Sequence, residues 1–338
     1  MDERIKTLKR ACNIQGGALL IYKVIMNVAV GIVSFGAAFV YMFSNIFGSD
    51  FDGMVDGSDE AFDAYMTELT ESITTFVMDS MGWGYLLAIA IGLLILLLWR
   101  KPAFFSQTLL RRGKPMKVGS FFGVLCVFLS VQLLVQIGAT GVELLLNQVD
   151  LSIMEVLESA SVSTDSVSML IYMCIAAPIV EEILFRGLIL RSLEPYGKGF
   201  AILLSAILFG FFHGNPIQTP FATLIGVILA YVTIEYNVIW AMILHMINNL
   251  VIGDTLPRLL SLLPYEQADM LFWAVIMLAG IVACIYGWVN RRKVPALIQS
   301  LDSENWQWEA VIKSPCVIIV VTLSLIDMAS VAVMLILM

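Results

Sequence analysis

Long runs of apolar residues, separated by short polar stretches, recur along the whole chain. A helix of about 20 apolar residues is long enough to cross the hydrocarbon core of a bilayer. By that criterion the sequence predicts nine spans, at 18–45, 81–99, 119–146, 169–190, 200–215, 219–236, 237–253, 269–289 and 316–338. The fifth to seventh are short and closely spaced, so their edges are the least well defined. The predicted fold class is all-α, a polytopic transmembrane helix bundle of about eight to nine spans.

The amino-acid composition also predicts a membrane protein, with the lipid bilayer as a partner. Hydrophobic residues make up 59% of the chain and charged residues 14%, whereas soluble domains average about half apolar and a quarter charged. The net charge of −8 is opposite in sign to that of a nucleic-acid-binding surface, so no nucleic-acid partner is expected. The five cysteines lie far apart and form no CxxC pair, which predicts small buried hydrophobes rather than a disulfide framework.

Basic residues are concentrated in alternate connections between the predicted spans. Lys and Arg are enriched in cytosolic loops, so this pattern predicts a multi-pass protein of the cell membrane with a cytosolic N-terminus. In that orientation 16 of the 19 Lys and Arg residues are cytosolic, in the stretches 4–10, 100–117, 191–198 and 291–313.

The stretch between the first two predicted spans has the opposite charge. Residues 50–79 contain nine Asp and Glu residues and no Lys or Arg. The sequence predicts an external acidic loop there, and the basic stretch at 100–117 is predicted to be a cytosolic loop. A solvated loop is the simple interpretation of the acidic stretch, and a role in cation binding or substrate gating is the alternative.

The fourth predicted span carries Glu181, Glu182 and Arg186. Ionisable side chains are costly inside a bilayer and usually mark a functional site. Glu182 and Arg186 are four residues apart, so a helix brings them to one face, where they can pair. Glu181 is rotated by about 100° from Glu182 and is left to point into a cavity, as a general base would. The alternative is a packing ion pair beside an inert, protonated Glu181.

The two histidines of the chain lie in two further apolar segments. His213 ends the sequence Phe-Gly-Phe-Phe-His and is followed by Gly-Asn-Pro, which stops a helix. His245 and Asn249 are four residues apart, so both can donate a hydrogen bond to a single oxygen, as an oxyanion hole requires. The alternatives are a satisfied core histidine at 213 and ordinary interhelical hydrogen bonds at 245 and 249.

The depths of Glu181, His213 and His245 in the predicted spans are similar. At a rise of 1.5 Å per residue they lie about 15, 20 and 12 Å from the inner boundary. All three levels are near the middle of a hydrocarbon core about 30 Å thick. This convergence of three neighbouring spans predicts a single site.

Three motifs follow one another in this part of the chain: Glu-Glu-x-x-x-Arg at 181–186, Phe-x-x-x-His at 209–213 and His-x-x-x-Asn at 245–249. In this order they resemble the CPBP family of CAAX-type prenyl endopeptidases and bacteriocin-processing enzymes, also called Abi proteins. The resemblance covers about residues 165–255, where it implies a catalytic core. The remaining divisions are N-terminal transmembrane segments over 1–150 and C-terminal transmembrane segments over 256–338.

The resemblance implies an intramembrane endopeptidase that acts on a membrane-associated peptide or protein. It further implies hydrolysis by a water that glutamate and histidine activate, for which we expect no required cofactor. The implied roles are water activation for Glu181 and His213, oxyanion stabilisation for His245 and Asn249, and support of the site for Glu182 and Arg186.

The sequence leaves zinc and two other classes of function open. Glu181, His213 and His245 could hold zinc with a water as the fourth ligand, although we expect a metal-free mechanism. The chain contains neither the His-Glu-x-x-His zinc motif nor the Gly-x-Ser-x-Gly nucleophile motif. The other classes are a non-catalytic membrane protein that binds peptides or confers bacteriocin immunity, and a transporter that uses the same groups as a proton path.

Overall fold

The computed structural model describes residues 2–46, 59–100, 102–149, 152 and 166–337. Of the described residues, 89% are helical, and no strand occurs among them. Seven helices in these ranges are long and apolar enough to cross a membrane, or up to eight if one bent pair of helices counts as a single span. The prediction of an all-α, polytopic helix bundle is therefore confirmed.

Eleven helices account for most of the described residues. They are α1 Glu3–Ile46, α2 Asp59–Trp99, α3 Val118–Leu146, α4 Val167–Tyr196, α5 Lys198–Phe212, α6 Gln218–Glu235, α7 Val238–Leu260, α8 Tyr265–Val289, α9 Val294–Ser300, α10 Asn305–Ile312 and α11 Pro315–Leu337. A short π-helix, Phe104–Leu109, lies between α2 and α3.

The described residues contain seven candidate spans, or up to eight, compared with the predicted eight to nine. The predicted fifth span corresponds to α5, which has only 15 residues and is about 22 Å long, less than the hydrocarbon thickness of about 30 Å. Its apolar run is a short helix packed among others rather than a span of full length. The last predicted span corresponds to α11, which is bent by 74° from α10 at a short break.

The predicted acidic loop at 50–79 is wrong over most of its length. Residues 59–79 form the first half of α2, and residues 50–58 lie outside the described residues. The stretch 59–81 contains no proline or glycine and includes good helix formers such as Glu, Ala and Met. An acidic composition disfavours burial in lipid but does not prevent helix formation. Hydropathy therefore indicates where the polar stretch lies but does not predict that it is helical.

Contacts divide the chain into two compact units. The first consists of Met1–Leu20, Arg100–Val162 and Pro178–Met338, and the second consists of Ile21–Trp99 and Ser163–Ala177. Within the second unit, α2 packs on the start of α4. There the rings of Tyr85 and Tyr172 stack at 4.4 Å, and the Ser168 hydroxyl donates to the backbone carbonyl of Asp79 at 3.1 Å.

The first unit contains every residue of the predicted site, and two glycines allow its central helices to approach. A β-carbon added to Gly226 of α6 would lie 3.1 Å from Cα of Ala206 in α5, and one added to Gly210 would lie 2.6 Å from the Thr219 carbonyl oxygen. Small residues at such crossings let helix backbones pack closely. The close α5–α6 pair fixes the end of α5, where His213 lies.

A one-residue turn connects α4 to α5. Gly197 has a φ of 140°, a conformation that side-chain-bearing residues rarely adopt. Because α4 ends at Tyr196 and α5 begins at Lys198, this single glycine reverses the chain. The reversal brings the helix with Glu181 and the helix that ends at His213 side by side.

Candidate active site

Glu182 and Arg186 form a fully buried ion pair. The Arg186 Nε atom lies 3.2 Å from Glu182 Oε2, and neither side chain is exposed. The guanidinium also lies over the Phe209 ring at 4.3 Å, and its Nη2 donates to the Gly226 carbonyl at 3.3 Å. Buried charges persist in folded proteins when a partner compensates them. This pair therefore ties α4 to α5 and α6 around one compensated charge.

The second oxygen of Glu182 orients His245. Oε1 lies 3.0 Å from His245 Nδ1, and His245 is buried with 4% of its surface exposed. A carboxylate can only accept, so Nδ1 carries the hydrogen in this contact. The other ring nitrogen, Nε2, is then the one that remains for chemistry.

Glu181 occupies a different environment from its neighbour Glu182. Its side chain is 16% exposed, and its Oε2 lies 3.7 Å from His245 Nε2. That distance is longer than a hydrogen bond. A water or a substrate oxygen beside the two groups could contact both, as bridging waters do in active sites.

His213 is held at the end of α5 by its own backbone and by an aromatic ring. Its Nδ1 lies 2.8 Å from the Phe209 carbonyl oxygen, and its ring packs edge-on against Phe209 at 4.9 Å. A carbonyl accepts, so this contact places the hydrogen on Nδ1 and leaves Nε2 as an acceptor. Helix α5 ends immediately before His213, and Gly214 follows in the left-handed conformation with a φ of 62°.

Phe209 is the common neighbour of the site. In addition to contacting His213 and Arg186, its ring packs edge-on against His245 at 5.7 Å. Sequence reasoning used Phe209 as one position of a motif and did not predict that it joins both histidines to the ion pair. The four-residue spacing of Phe209 and His213 accounts for one of these contacts, but no local signal identifies the other two, because Arg186 and His245 lie on two other helices.

Asn249 lies in a row of amide side chains that continues to another helix. The Asn248 Nδ2 atom donates to Asn249 Oδ1 at 3.1 Å, and Gln132 Nε2 of α3 donates to Asn248 Oδ1 at 3.3 Å. The Asn249 oxygen thus accepts a hydrogen bond from its neighbour in the chain. Sequence reasoning missed Gln132, and its only signal was an amide inside a predicted apolar span.

Both helices that carry the candidate acids and amides widen into π-helix at the site. One π segment, Glu182–Leu190, begins directly after Glu181, and the other, Ile247–Thr255, begins two residues after His245. Such segments are uncommon and are frequent at functional sites. They change the direction of side chains relative to a regular α-helix, so they adjust how Glu181 and Asn249 face their neighbours.

The zinc alternative concerns the set of Glu181, His213 and His245. Across the described parts of the chain, no three His, Cys, Asp or Glu side chains are grouped closely enough to hold a metal ion. A protein oxygen engages the Nδ1 atom of each histidine and leaves Nε2 available, which is also how zinc-bound histidines are held. The metal-free mechanism therefore stays a prediction, and a chelation experiment is given below.

Comparison with known families finds one match. Residues 163–251 match the family model described as Type II CAAX prenyl endopeptidase Rce1-like. The resemblance to the CAAX proteases is confirmed. The match spans 89 of the 338 residues and contains all three motifs. It supports, at the level of the family, a CAAX-type intramembrane endopeptidase that lies in the bilayer and acts on peptides. No curated protein and no solved structure matches the chain.

Proposed function

We propose that this protein is an intramembrane endopeptidase that hydrolyses a peptide bond of a membrane-associated peptide or protein with a water activated by Glu181 and His213. One observation supports the proposal most strongly: the accessible carboxylate of Glu181 faces the buried His245 at 3.7 Å, while its neighbour Glu182 is fully buried and paired. Two adjacent glutamates in opposite environments suit a division between a reactive and a supporting carboxylate.

In the attack step, the Glu181 carboxylate accepts a proton from water while the water oxygen bonds to the carbonyl carbon of the substrate. The Nε2 lone pair of His213 holds the second hydrogen of the same water, since its Nδ1 is engaged by Phe209. The proton on Glu181 then passes to the leaving nitrogen as the C–N bond breaks. The products are a carboxylic acid and an amine, and Glu181 returns to its initial state.

The oxyanion of the tetrahedral intermediate requires hydrogen-bond donors. His245 supplies Nε2–H when its ring is doubly protonated, because Nδ1–H already donates to Glu182. Asn249 supplies its NH₂ group, since its oxygen accepts from Asn248. Arg186 offsets the charge of Glu182 and so keeps that carboxylate available to His245.

The proposal is tested by replacing Glu181 and His213 in the purified full-length protein. Glu181→Gln and His213→Ala should each lower turnover by about 10²–10⁴-fold, the usual loss for a general base or a water-positioning group. Cleavage would be measured on internally quenched apolar peptides in micelles, with and without a prenylated C-terminal cysteine motif. Glu235→Gln is a matched control, because Glu235 lies at the end of α6 and pairs with Lys114.

The control should cleave at the wild-type rate, and both site variants should keep the wild-type elution volume in size-exclusion chromatography. Near wild-type cleavage by Glu181→Gln would contradict the water-activation role. A wild-type protein that binds these peptides but cleaves none would favour the non-catalytic peptide-binding alternative.

A further inference from the structure

A cavity of about 410 Å³ lies in the first unit, beside the row of amides. Helices α3, α7 and α8 provide most of its wall. Its lining includes three amide side chains and three large aromatic rings, those of Gln132, Gln136, Asn248, Phe221, Phe272 and Trp273. None of the described residues that line it carries a charge. The lining therefore favours a neutral ligand with both apolar and hydrogen-bonding parts over an ion.

Two amides of the cavity lie on a helix that is long and apolar enough to cross a membrane. Gln132 and Gln136 are one helical turn apart on α3, which is a candidate membrane span, and Gln136 is exposed. An amide without a partner in hydrocarbon costs several kcal/mol. An amide also offers both a donor and an acceptor, the same pair of groups that a peptide unit offers. A ligand that supplies peptide groups would satisfy Gln136.

One side chain links the lining of the cavity to the candidate active site. Asn248 lines the cavity and donates to Asn249 at 3.1 Å. A ligand in the cavity is thus separated from the proposed oxyanion donor by a single amide. An extended polypeptide approaching the site exposes backbone N–H and C=O groups that a bilayer leaves unpaired, so it needs polar partners at this position.

We propose that this cavity is a binding groove for the extended backbone of the substrate polypeptide next to the bond that is cut. The amide of Gln136 pairs with its peptide groups, and the aromatic wall holds its apolar side chains. The inference rests on the proposed function, since it assigns a substrate segment to the same site.

Two variants alter the groove without changing the proposed catalytic groups. Gln136→Leu removes one amide, and Gly253→Leu fills the groove, because Gly253 lines it and a β-carbon there meets only the Asn248 carbonyl oxygen at 3.4 Å. Gln136→Leu should raise KM by roughly 3–10-fold, the value of one net hydrogen bond, with little change in kcat. Gly253→Leu should raise KM as well, because its side chain occupies the groove. Ile137→Leu, on the neighbouring exposed position of α3, is the matched control and should leave KM unchanged.

Binding is measured separately from turnover by photo-crosslinking. An apolar peptide with one diazirine-bearing leucine would be irradiated with the Glu181→Gln protein in micelles, and the adducts mapped by mass spectrometry. We expect adducts on α3 and α8 residues of the groove, lost in the Gly253→Leu background and displaced by unlabelled peptide. This result would support the groove even if no cleavage of the peptide by the wild-type protein were observed.

Active wild-type protein with unchanged KM in both groove variants and adducts elsewhere would overturn the groove and leave the protease assignment intact. Adducts that a single-chain lipid displaces and the unlabelled peptide does not would identify an acyl-chain site and would also overturn it.

Discussion

Arg186→Met isolates the buried charge on which the site depends. The substitution keeps a long unbranched side chain of similar reach but removes the guanidinium. It deletes the 3.2 Å contact with Glu182, the cation–π contact with Phe209 and the hydrogen bond to the Gly226 carbonyl. The Glu182 carboxylate would then remain fully buried beside His245 with no cation of its own.

The expected loss of stability follows from the burial of both partners. Removing one member of a fully buried ion pair lowers the free energy of unfolding by about 3–5 kcal/mol, because the remaining charge has neither water nor a counter-ion. Replacing both members, as in Glu182→Gln with Arg186→Met, leaves no unpaired charge and should recover most of that loss. The glutamine can still accept a hydrogen bond from His245 Nδ1, so the double variant should fold and retain the ring orientation.

The measurement is reversible unfolding of the full chain in mixed detergent micelles, followed by tryptophan fluorescence. Lys114→Met is the matched control, since it breaks an ion pair with Glu235 in which the lysine side chain is 76% exposed. We expect no measurable change in the free energy of unfolding there. An Arg186→Met protein within about 1 kcal/mol of wild type would refute the argument, as would a double variant as unstable as the single one.

Three further predictions concern the oxyanion donors, the metal and the orientation. Asn249→Ala should lower kcat by a factor equivalent to about 2.7–4 kcal/mol with little change in KM, and Asn249→Asp should be at least as damaging. Gln132→Leu should lower kcat by a smaller factor. A change confined to KM in Asn249→Ala would contradict the role of Asn249 as an oxyanion donor. Purified active protein should contain no stoichiometric zinc by mass spectrometry, whereas a chelator-sensitive enzyme whose metal is lost in His245→Ala would exclude the metal-free mechanism. In a cysteine-free background, a single cysteine within 59–79 should react with an impermeant maleimide in intact cells, and protection there with labelling near Arg112 would invert the predicted topology.

Local periodicity explains which parts of the site could be predicted from the sequence. Glu182 and Arg186 are four residues apart, and the sequence alone therefore places them on one helix face, where the structure has them in contact. The environment of Glu181, with more exposure than Glu182, follows from the same helical geometry. These inferences need only the rise and twist of one helix.

Helical periodicity does not predict contacts between different helices. Glu182 and His245 are 63 residues apart, and Gln132 and Asn248 are 116 residues apart. Similar depth in the membrane brings such residues to one level, but depth does not determine which faces of the helices meet. Close packing decides that, as at the α5–α6 approach of Gly210 and Gly226, and it cannot be derived from hydropathy.

The energetic character of the ion pair also bears on function. Among the described residues, Glu182 Oε2 and the Nε and Nη1 atoms of Arg186 are buried and lack a well-formed hydrogen bond. An apolar pair of similar size would often be as stable or more stable in such a place. The pair is therefore poorly explained as a means of holding helices together. It is better explained by what Glu182 does with its other oxygen, which fixes Nδ1 of His245 and turns Nε2 of that ring toward Glu181. Arg186 makes this possible because it compensates the Glu182 charge at the oxygen that does not contact His245. Glu182 therefore orients the histidine, and Glu181 is left to react.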